Sequence, residues 1–158
     1  MHRISLTVNG KEHHCEVQAD SLLVTVLREQ LGLTGTHVGC DTSQCGCCTV
    51  LIDGVSVKAC ASLALQADGC AIRTVEGLSD AGVLHPIQEA FSKCHGLQCG
   101  FCTPGMMMLA ACLLSTNPTP SHEEIVHALE GNLCRCTGYV NIIESVREAS
   151  RLISAQHA

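Results

Sequence analysis

Large aromatic side chains are almost missing from this sequence. Its 158 residues include no tryptophan, one tyrosine and two phenylalanines. The interior must therefore be filled by small and aliphatic side chains. If the chain forms two domains of roughly 75–80 residues, each buries little core and needs a staple, such as a bound metal.

Long apolar runs, blocks of like charge and an apolar leader are also missing. The longest apolar stretch, 106–114, is too short to cross a bilayer. The first ten residues lack the apolar segment and cleavage site of a secretion signal. Fifteen acidic residues against nine basic ones give a net charge of −6, which argues against a nucleic-acid partner. We therefore expect a cytoplasmic protein with no transmembrane segment and no nucleic-acid partner.

Recognisable catalytic motifs are absent too. The sequence contains no P-loop, no G-x-G-x-x-G and no Ser-His-Asp order. His122 and His127 are five residues apart, not four, so they miss the spacing of the metalloprotease motif. We expect no substrate site on this chain.

Cysteine, in contrast, is abundant. A chain with thirteen cysteines and no leader indicates a reducing compartment and metal ligation, not disulfides. Three of the cysteines follow the C-x4-C-x2-C spacing of plant-type [2Fe–2S] proteins, and a distant fourth thiolate completes the set. This amino-terminal quartet consists of Cys40, Cys45, Cys48 and Cys60. A zinc site is the alternative, although zinc sites usually combine two C-x2-C pairs.

Cys47 could compete with Cys48 as a ligand. We assign Cys48 as the ligand because adjacent cysteines cannot both turn inward on a tight loop.

A second set of cysteines lies in the other half of the chain. This carboxy-terminal quartet consists of Cys99, Cys102, Cys134 and Cys136. The C-x2-C pair alone could be a thioredoxin-like dithiol, but that leaves the later C-x-C pair unexplained. One metal site explains both pairs, with iron–sulfur favoured and zinc as the alternative. The other cysteines are interpreted as packing residues: Cys15, Cys70, Cys94 and Cys112.

Turn and helix signals predict an α+β chain of two domains, 1–77 and 78–158. Asn9–Gly10 and Asp53–Gly54 predict two β-hairpins. Between them, Ser21 can cap a helix that ends near Leu31. Beyond the turn-rich linker 76–83 the sequence predicts four helices, with the carboxy-terminal quartet in loops at one end of the bundle. The predicted helices are 86–94, 103–114, 121–131 and 139–153.

Three motifs resemble one family over nearly the whole chain. Segments 39–50 (GCDTSQCGCCTV), 98–105 (QCGFCTPG) and 131–139 (GNLCRCTGY) look like the small iron–sulfur subunit of molybdenum hydroxylases. That family includes xanthine dehydrogenase, aldehyde oxidoreductase, nicotinate and quinoline dehydrogenases, and aerobic carbon monoxide dehydrogenase. Segments 33–46, 55–60 and 95–106 look closest to the carbon monoxide dehydrogenase branch.

The resemblance implies a fold and a set of partners. It implies an amino-terminal β-grasp, plant-ferredoxin-like domain and a carboxy-terminal four-helix domain, each with one [2Fe–2S] cluster. The carboxy-terminal cluster would lie near a molybdenum–pterin cofactor on a large subunit, contacted by Gln98 and Cys136. The amino-terminal cluster would face FAD on a medium subunit, and two such heterotrimers would assemble together. Position 47 is usually alanine in this family, and cysteine is compatible in size.

The resulting functional hypothesis is an electron-relay subunit of a multisubunit oxidoreductase. Single electrons would pass from molybdenum through both clusters to FAD, in a complex most similar to carbon monoxide dehydrogenase. The same subunit could instead serve a complex that oxidises a nitrogen heterocycle, a purine or an aldehyde. A free-standing ferredoxin and a zinc-stapled interaction module are two further hypotheses.

Overall fold

The amino-terminal half folds as a five-stranded mixed sheet. The computed structural model describes residues 1–156. The sheet begins with an antiparallel hairpin of β1 (His2–Val8) and β2 (Lys11–Val17). Asn9 and Gly10 turn the chain with φ angles of 50° and 80°, the left-handed region that this dipeptide favours. The first predicted hairpin is therefore confirmed.

Three shorter strands complete the sheet: β3 (Thr49–Ile52), β4 (Val55–Lys58) and β5 (Ala71–Arg73). Asp53 and Gly54 close the β3–β4 hairpin with positive φ, as predicted. The strand order is β2-β1-β5-β3-β4, with β1 and β5 parallel and the other neighbours antiparallel. With one helical segment packed on it, this sheet has the predicted ferredoxin-like layout.

That helical segment differs in detail from the prediction. Helix α1 spans only Leu23–Thr25 and continues as a π-helical turn over Val26–Gln30. The prediction that Ser21 caps it is wrong, because the Ser21 hydroxyl accepts a hydrogen bond from the N–H of Gln18, 2.9 Å away. The apolar side chains of the segment are nevertheless buried in the sheet's core: Leu23, Val24, Val26 and Leu27.

Four helices form the carboxy-terminal half, as predicted. They are α2 (Pro86–Lys93), α3 (Thr103–Thr116), α4 (His122–Leu129) and α5 (Val140–Gln156). The predicted capping box starts α4: the Glu124 carboxylate accepts from the Ser121 N–H at 2.7 Å, and the Ser121 hydroxyl accepts from the Glu124 N–H at 3.2 Å. Among residues 1–156, no helix is long and apolar enough to cross a membrane.

The sheet and the helices share a packed boundary. Helix α3 packs directly against β3, and Leu51 from that strand is buried in the core of the helical half. Leu78, from the segment between the halves, is buried in the same core. The boundary between residues 77 and 78 stays a prediction. This packing matters for function because it brings the start of α3 up to the cysteine-rich loop that precedes β3.

Candidate iron–sulfur centres

The β3–β4 hairpin brings Cys48 and Cys60 together. Cys48 directly precedes β3 and Cys60 follows β4, so the hairpin register sets them on neighbouring strand ends. The N–H of Ala59 donates to the Cys48 carbonyl at 3.2 Å, and the N–H of Cys60 lies 3.5 Å from the Cys48 sulfur. Both thiols are buried. They form one pair within the amino-terminal quartet.

Cys40 and Cys45 form the other pair of this quartet. The loop around them curls tightly, with positive φ at Asp41, Ser43 and Gly46. The N–H groups of Thr42 and Cys45 lie 3.4 Å and 3.2 Å from the Cys40 sulfur. The Thr42 side chain and these N–H groups lower the pKa of Cys40 to about 6. The loop therefore favours the thiolate, the form that binds metal.

Cys47 lies beside the Cys40–Cys45 pair. Its side chain is 5% exposed, and a Cβ on Gly39 would be 3.0 Å from the Cys45 sulfur and 3.3 Å from the Cys47 sulfur. Burial raises the pKa of Cys47 to about 12, but it also raises the pKa of Cys48 to about 11. The pKa shifts therefore do not indicate which of the two cysteines belongs to the quartet. Their positions do, because Cys48 is the one paired with Cys60.

The carboxy-terminal quartet comes from two loops at one end of the helical bundle. Cys99 and Cys102 lie between α2 and α3, whereas Cys134 and Cys136 lie between α4 and α5. The thiols again pair across the loops. The hydrogen-bonded Cys99 thiol raises the pKa of Cys136, and burial together with the Cys134 thiol raises the pKa of Cys102 to about 12. The two pairs are Cys99 with Cys136 and Cys102 with Cys134.

Thr137 and Tyr139 anchor this second loop. The hydroxyl and N–H of Thr137 lie 3.1 Å and 3.5 Å from the Cys134 sulfur. Burial acts in the opposite direction, but the hydrogen bonds of Thr137 lower the pKa of Cys134. The Tyr139 hydroxyl accepts from the Cys134 N–H at 2.9 Å and donates to the Asn132 carbonyl at 3.3 Å. Sequence reasoning missed both roles, and the only available signal was their place just after the C-x-C pair.

The sulfur arrangement fits a two-iron cluster at each quartet. All thirteen cysteines are free. The eight thiols stand as four pairs, two in each quartet. A [2Fe–2S] cluster divides four thiolates between two irons, two to each, whereas structural zinc gathers four ligands on one ion. Paired thiols match the cluster.

Two buried polar atoms belong to residues that are close in sequence to the carboxy-terminal quartet. Thr103 Oγ1 and Asn132 Nδ2 have no hydrogen-bond partner within residues 1–156, and both side chains are buried. Thr103 directly follows Cys102, and Asn132 is two residues before Cys134. Buried polar groups are normally paired. The Asn132 side chain lies against Gly46 of the amino-terminal loop, where a Cβ would be 2.0 Å from Asn132 Oδ1, so this amide lies where the two cysteine loops meet.

The loops that carry the two quartets are in direct contact. The N–H of Leu133 donates to the carbonyl of Cys45 at 2.8 Å. The first turn of α3 packs so closely on the amino-terminal loop that a Cβ on Gly105 would lie 2.3 Å from the Gly46 carbonyl oxygen and 3.1 Å from the Cys47 Cα. The two quartets are therefore neighbours, although they belong to different halves of the chain.

An aromatic contact reinforces this junction. The His37 ring stacks on Phe101 with centroids 4.7 Å apart and an interplanar angle of 23°. His37 Nδ1 also lies 2.7 Å from the Phe101 carbonyl oxygen. Phe101 lies between Cys99 and Cys102, so the contact joins the amino-terminal half to the loop of the other quartet.

The carboxy-terminal quartet lies partly at the surface. Cys99 and Cys136 are exposed, as is the neighbouring Gln98. Several large apolar side chains in or beside the cysteine loops are exposed too: Val38, Leu97, Phe101 and Leu133. Gln98 and Cys136 can therefore be reached from outside the chain.

Comparisons with known proteins agree with this architecture. Residues 6–79 match the 2Fe-2S iron-sulfur cluster binding domain, and residues 74–147 match the [2Fe-2S] binding domain. The nicotine 6-hydroxylase small subunit of Paenarthrobacter nicotinovorans is 52% identical, over 92% of this chain and 88% of the relative. The caffeine dehydrogenase subunit gamma of Pseudomonas sp. (strain CBB1) is 49% identical, over 94% of this chain and 91% of the relative.

A solved structure gives the same result. The structure of quinoline 2-oxidoreductase from Pseudomonas putida 86 matches with a TM-score of 0.94 and 46% identity, over 99% of this chain and 97% of the matched chain. The fold, the two [2Fe–2S]-binding domains and these relatives agree throughout. This chain belongs to the family of small iron–sulfur subunits of molybdenum hydroxylases, and its function is electron transfer.

Proposed function

We propose that the amino-terminal and carboxy-terminal quartets are the ligand sets of the two [2Fe–2S] clusters. The observation that carries this proposal is the division of each quartet into two thiol pairs. The Cys40 loop supports it, since N–H groups aimed at a sulfur stabilise negative charge there. When bound, each cluster takes up and releases one electron at a time.

The chain itself supplies a short connection between the two centres. Cys45 would ligate the amino-terminal cluster, and its carbonyl accepts the hydrogen bond from Leu133. Leu133 is bonded to Cys134, which would ligate the carboxy-terminal cluster. One hydrogen bond and a few covalent bonds thus join the two ligand shells. A relay of single electrons needs such proximity between its centres.

We further propose that a large molybdenum–pterin subunit covers the loop of Gln98 and Cys136. The exposure of both residues supports this, as do the exposed apolar side chains around them. Electrons would enter at the carboxy-terminal cluster and leave from the amino-terminal cluster to FAD on a medium subunit. A dimer of such heterotrimers is the proposed assembly.

Thirteen free cysteines support a cytoplasmic location.

For the substrate of the whole complex we propose a nitrogen heterocycle. Relatives named for nicotine and caffeine, and a structure named for quinoline, support this choice of substrate class. The carbon monoxide dehydrogenase assignment stays a prediction, based on the resemblance of segments 33–46, 55–60 and 95–106. Caffeine is itself a purine, so the purine alternative falls within this class, and an aldehyde is the remaining candidate substrate.

Metal analysis and spectroscopy test the ligand proposal. The full chain, purified without oxygen, should contain about four irons and four acid-labile sulfides, the content of two such clusters. Partial reduction should give two distinct paramagnetic signals. Zinc without labile sulfide would refute the cluster assignment, and a single signal would refute the second site.

Purification with the neighbouring subunits tests the partners and the substrate. The complex should reduce an artificial electron acceptor with nicotine, caffeine or quinoline and not with carbon monoxide. The reverse preference would overturn the heterocycle proposal.

Gln98→Ala should leave both cluster signals intact but slow cluster reduction by substrate. An unchanged rate would show that Gln98 is not at the interface with the large subunit.

A further inference from the structure

Cys47 is a buried thiol that belongs to neither quartet of the electron relay. It lies between Cys45 and Cys48 in sequence, and its side chain is 5% exposed. The sulfurs of Cys45 and Cys47 both lie beside Gly39, 3.0 Å and 3.3 Å, respectively, from where a Cβ on that glycine would be. The thiol is thus placed against one particular ligand of the amino-terminal quartet.

The backbone of Cys47 also faces the other half of the chain. Its Cα and carbonyl oxygen would each lie 3.1 Å from a Cβ on Gly105, in the first turn of α3. That turn starts directly after Cys102, a residue of the carboxy-terminal quartet. Of the five cysteines outside the quartets, Cys47 therefore occupies the junction where the two cysteine-rich loops meet.

A buried thiol at this position can act as a hydrogen-bond donor. Cys47 is outside the proposed ligand sets, and a cysteine that binds no metal is normally a protonated thiol at neutral pH. A thiol is a weak donor, and a metal-bound thiolate is an acceptor. Hydrogen bonds to cluster sulfurs are one of the main ways by which a protein sets a cluster's reduction potential, because they stabilise the more negative, reduced state.

We propose that Cys47 donates an S–H···S hydrogen bond to Cys45 and thereby raises the reduction potential of the amino-terminal cluster. This inference depends on the proposed ligand sets of the two clusters. The electron lost by the carboxy-terminal cluster is gained by the amino-terminal one; no bond forms or breaks, and the proton stays on Cys47. The hydrogen bond makes the amino-terminal cluster the better acceptor and so favours transfer in the direction of FAD.

Redox titration of the full chain, followed by electron paramagnetic resonance, tests the proposal. In Cys47→Ala both signals should persist. At a fixed solution potential, the reduced-to-oxidised ratio of the amino-terminal cluster should fall by about three- to tenfold, the effect of one modest hydrogen bond. A tenfold change corresponds to about 59 mV for one electron. Cys47→Ser keeps a donor and should shift the ratio less. The carboxy-terminal cluster should keep its potential in both variants.

Cys15→Ala is the matched control. Cys15 is also 5% exposed, but it lies on β2 in the core of the sheet. Its loss should leave both potentials unchanged.

Three outcomes would overturn the proposal, and they differ from one another. Two intact signals with unchanged potentials in Cys47→Ala would refute the hydrogen-bond role and leave the ligand sets standing. An equal shift in the reduction potentials of both clusters would show that the substitution acts through a general change in the fold. Loss of the amino-terminal signal, with about half of the iron, would make Cys47 a ligand and would refute the proposed ligand set itself.

Discussion

The backbone N–H of Leu133 donates a hydrogen bond to the carbonyl oxygen of Cys45, and the two atoms are 2.8 Å apart. Leu133 belongs to the loop of one cysteine quartet and Cys45 to the other. Because both partners are main-chain atoms, the bond does not depend on the side chain of Leu133, which is exposed. The spacing of the two centres is therefore set by the backbone of two loops, which in turn depends on how closely α3 can approach.

Gly105→Ala tests that approach. Alanine in place of glycine normally stabilises a helix by about 1 kcal/mol. Here the new Cβ would lie 2.3 Å from the Gly46 carbonyl oxygen, and main-chain atoms cannot simply rotate away. We expect the cost of this clash to exceed the gain in helix propensity, so the free energy of unfolding should fall by about 1–3 kcal/mol. Urea denaturation measures the loss, and a weaker magnetic interaction between the two reduced clusters would report their separation.

Gly131→Ala is the control for this substitution. A Cβ there meets only Lys58 Nζ, at 3.8 Å, which is ordinary contact. It should leave the interaction between the clusters unchanged. If Gly105→Ala were as stable as the natural chain and kept the same magnetic interaction, the close packing of α3 would not control the spacing.

Cys134→Ser should remove the carboxy-terminal cluster and spare the amino-terminal one. Cys134 pairs with Cys102 in one quartet, whereas the other quartet depends on the β3–β4 hairpin and its own loop. Iron content should fall by about half, and one of two paramagnetic signals should disappear. Cys94→Ser, a change outside both quartets, should keep both signals. Loss of both signals in Cys134→Ser would show that the centres fold as one unit.

Much of the fold follows from local rules that the sequence displays. Asn9–Gly10 and Asp53–Gly54 predict hairpins correctly because only a few residues accept the positive φ of these turns. The capping box of α4 is equally local. The predicted cap at Ser21 is wrong because its hydroxyl has a competing partner, the N–H of Gln18. Nothing in the pattern shows which neighbour a serine will choose.

The sequence predicts which cysteines make up each quartet, but it does not predict how the four thiols are arranged within a quartet. Spacing and family resemblance indicate the two quartets, and the structure divides each into pairs. The pairing of Cys99 with Cys136 depends on how two loops meet at the end of the bundle, which is a long-range property. The contacts of Thr42 and Thr137 with cysteine sulfurs depend on loop conformation, with several residues at positive φ. Such contacts have no periodic signature.

Tyr139→Phe should weaken the carboxy-terminal cluster selectively. The lost hydroxyl accepts from the Cys134 N–H and donates to the Asn132 carbonyl. Leaving a partly buried N–H without its partner costs about 1–3 kcal/mol, so the loop around Cys134 should open more often. An iron chelator should then remove the carboxy-terminal signal several times faster than in the natural chain. The amino-terminal signal is the internal control, and equal loss rates for both signals would contradict a local role for Tyr139.

An ion pair between α2 and α5 gives the final prediction. Lys93 Nζ lies 2.5 Å from Glu148 Oε1, and Arg151 lies 3.4 Å from the other carboxylate oxygen. The hydrogen bond from Lys93 lowers the pKa of Glu148 below its usual 4.5, and the same bond raises the pKa of Lys93 above its usual 10.5. Both shifts widen the pH range over which the two groups are charged.

The sign of each shift fixes how stability should depend on pH. The contribution of Glu148 is present above 4.5 and is lost as the pH falls through its lowered value. The contribution of Lys93 is present below 10.5 and is lost as the pH rises through its raised value. Glu148→Gln should therefore reduce the free energy of unfolding by a small amount that stays constant between about pH 6 and pH 9. Urea denaturation at several pH values measures this difference.

Lys93→Gln should reduce the free energy of unfolding by a similar amount, and the double variant should lose less than the sum of the two, since both changes break the same bond. A difference that disappears within this pH range, or costs that simply add, would show that the pair does not join α2 to α5.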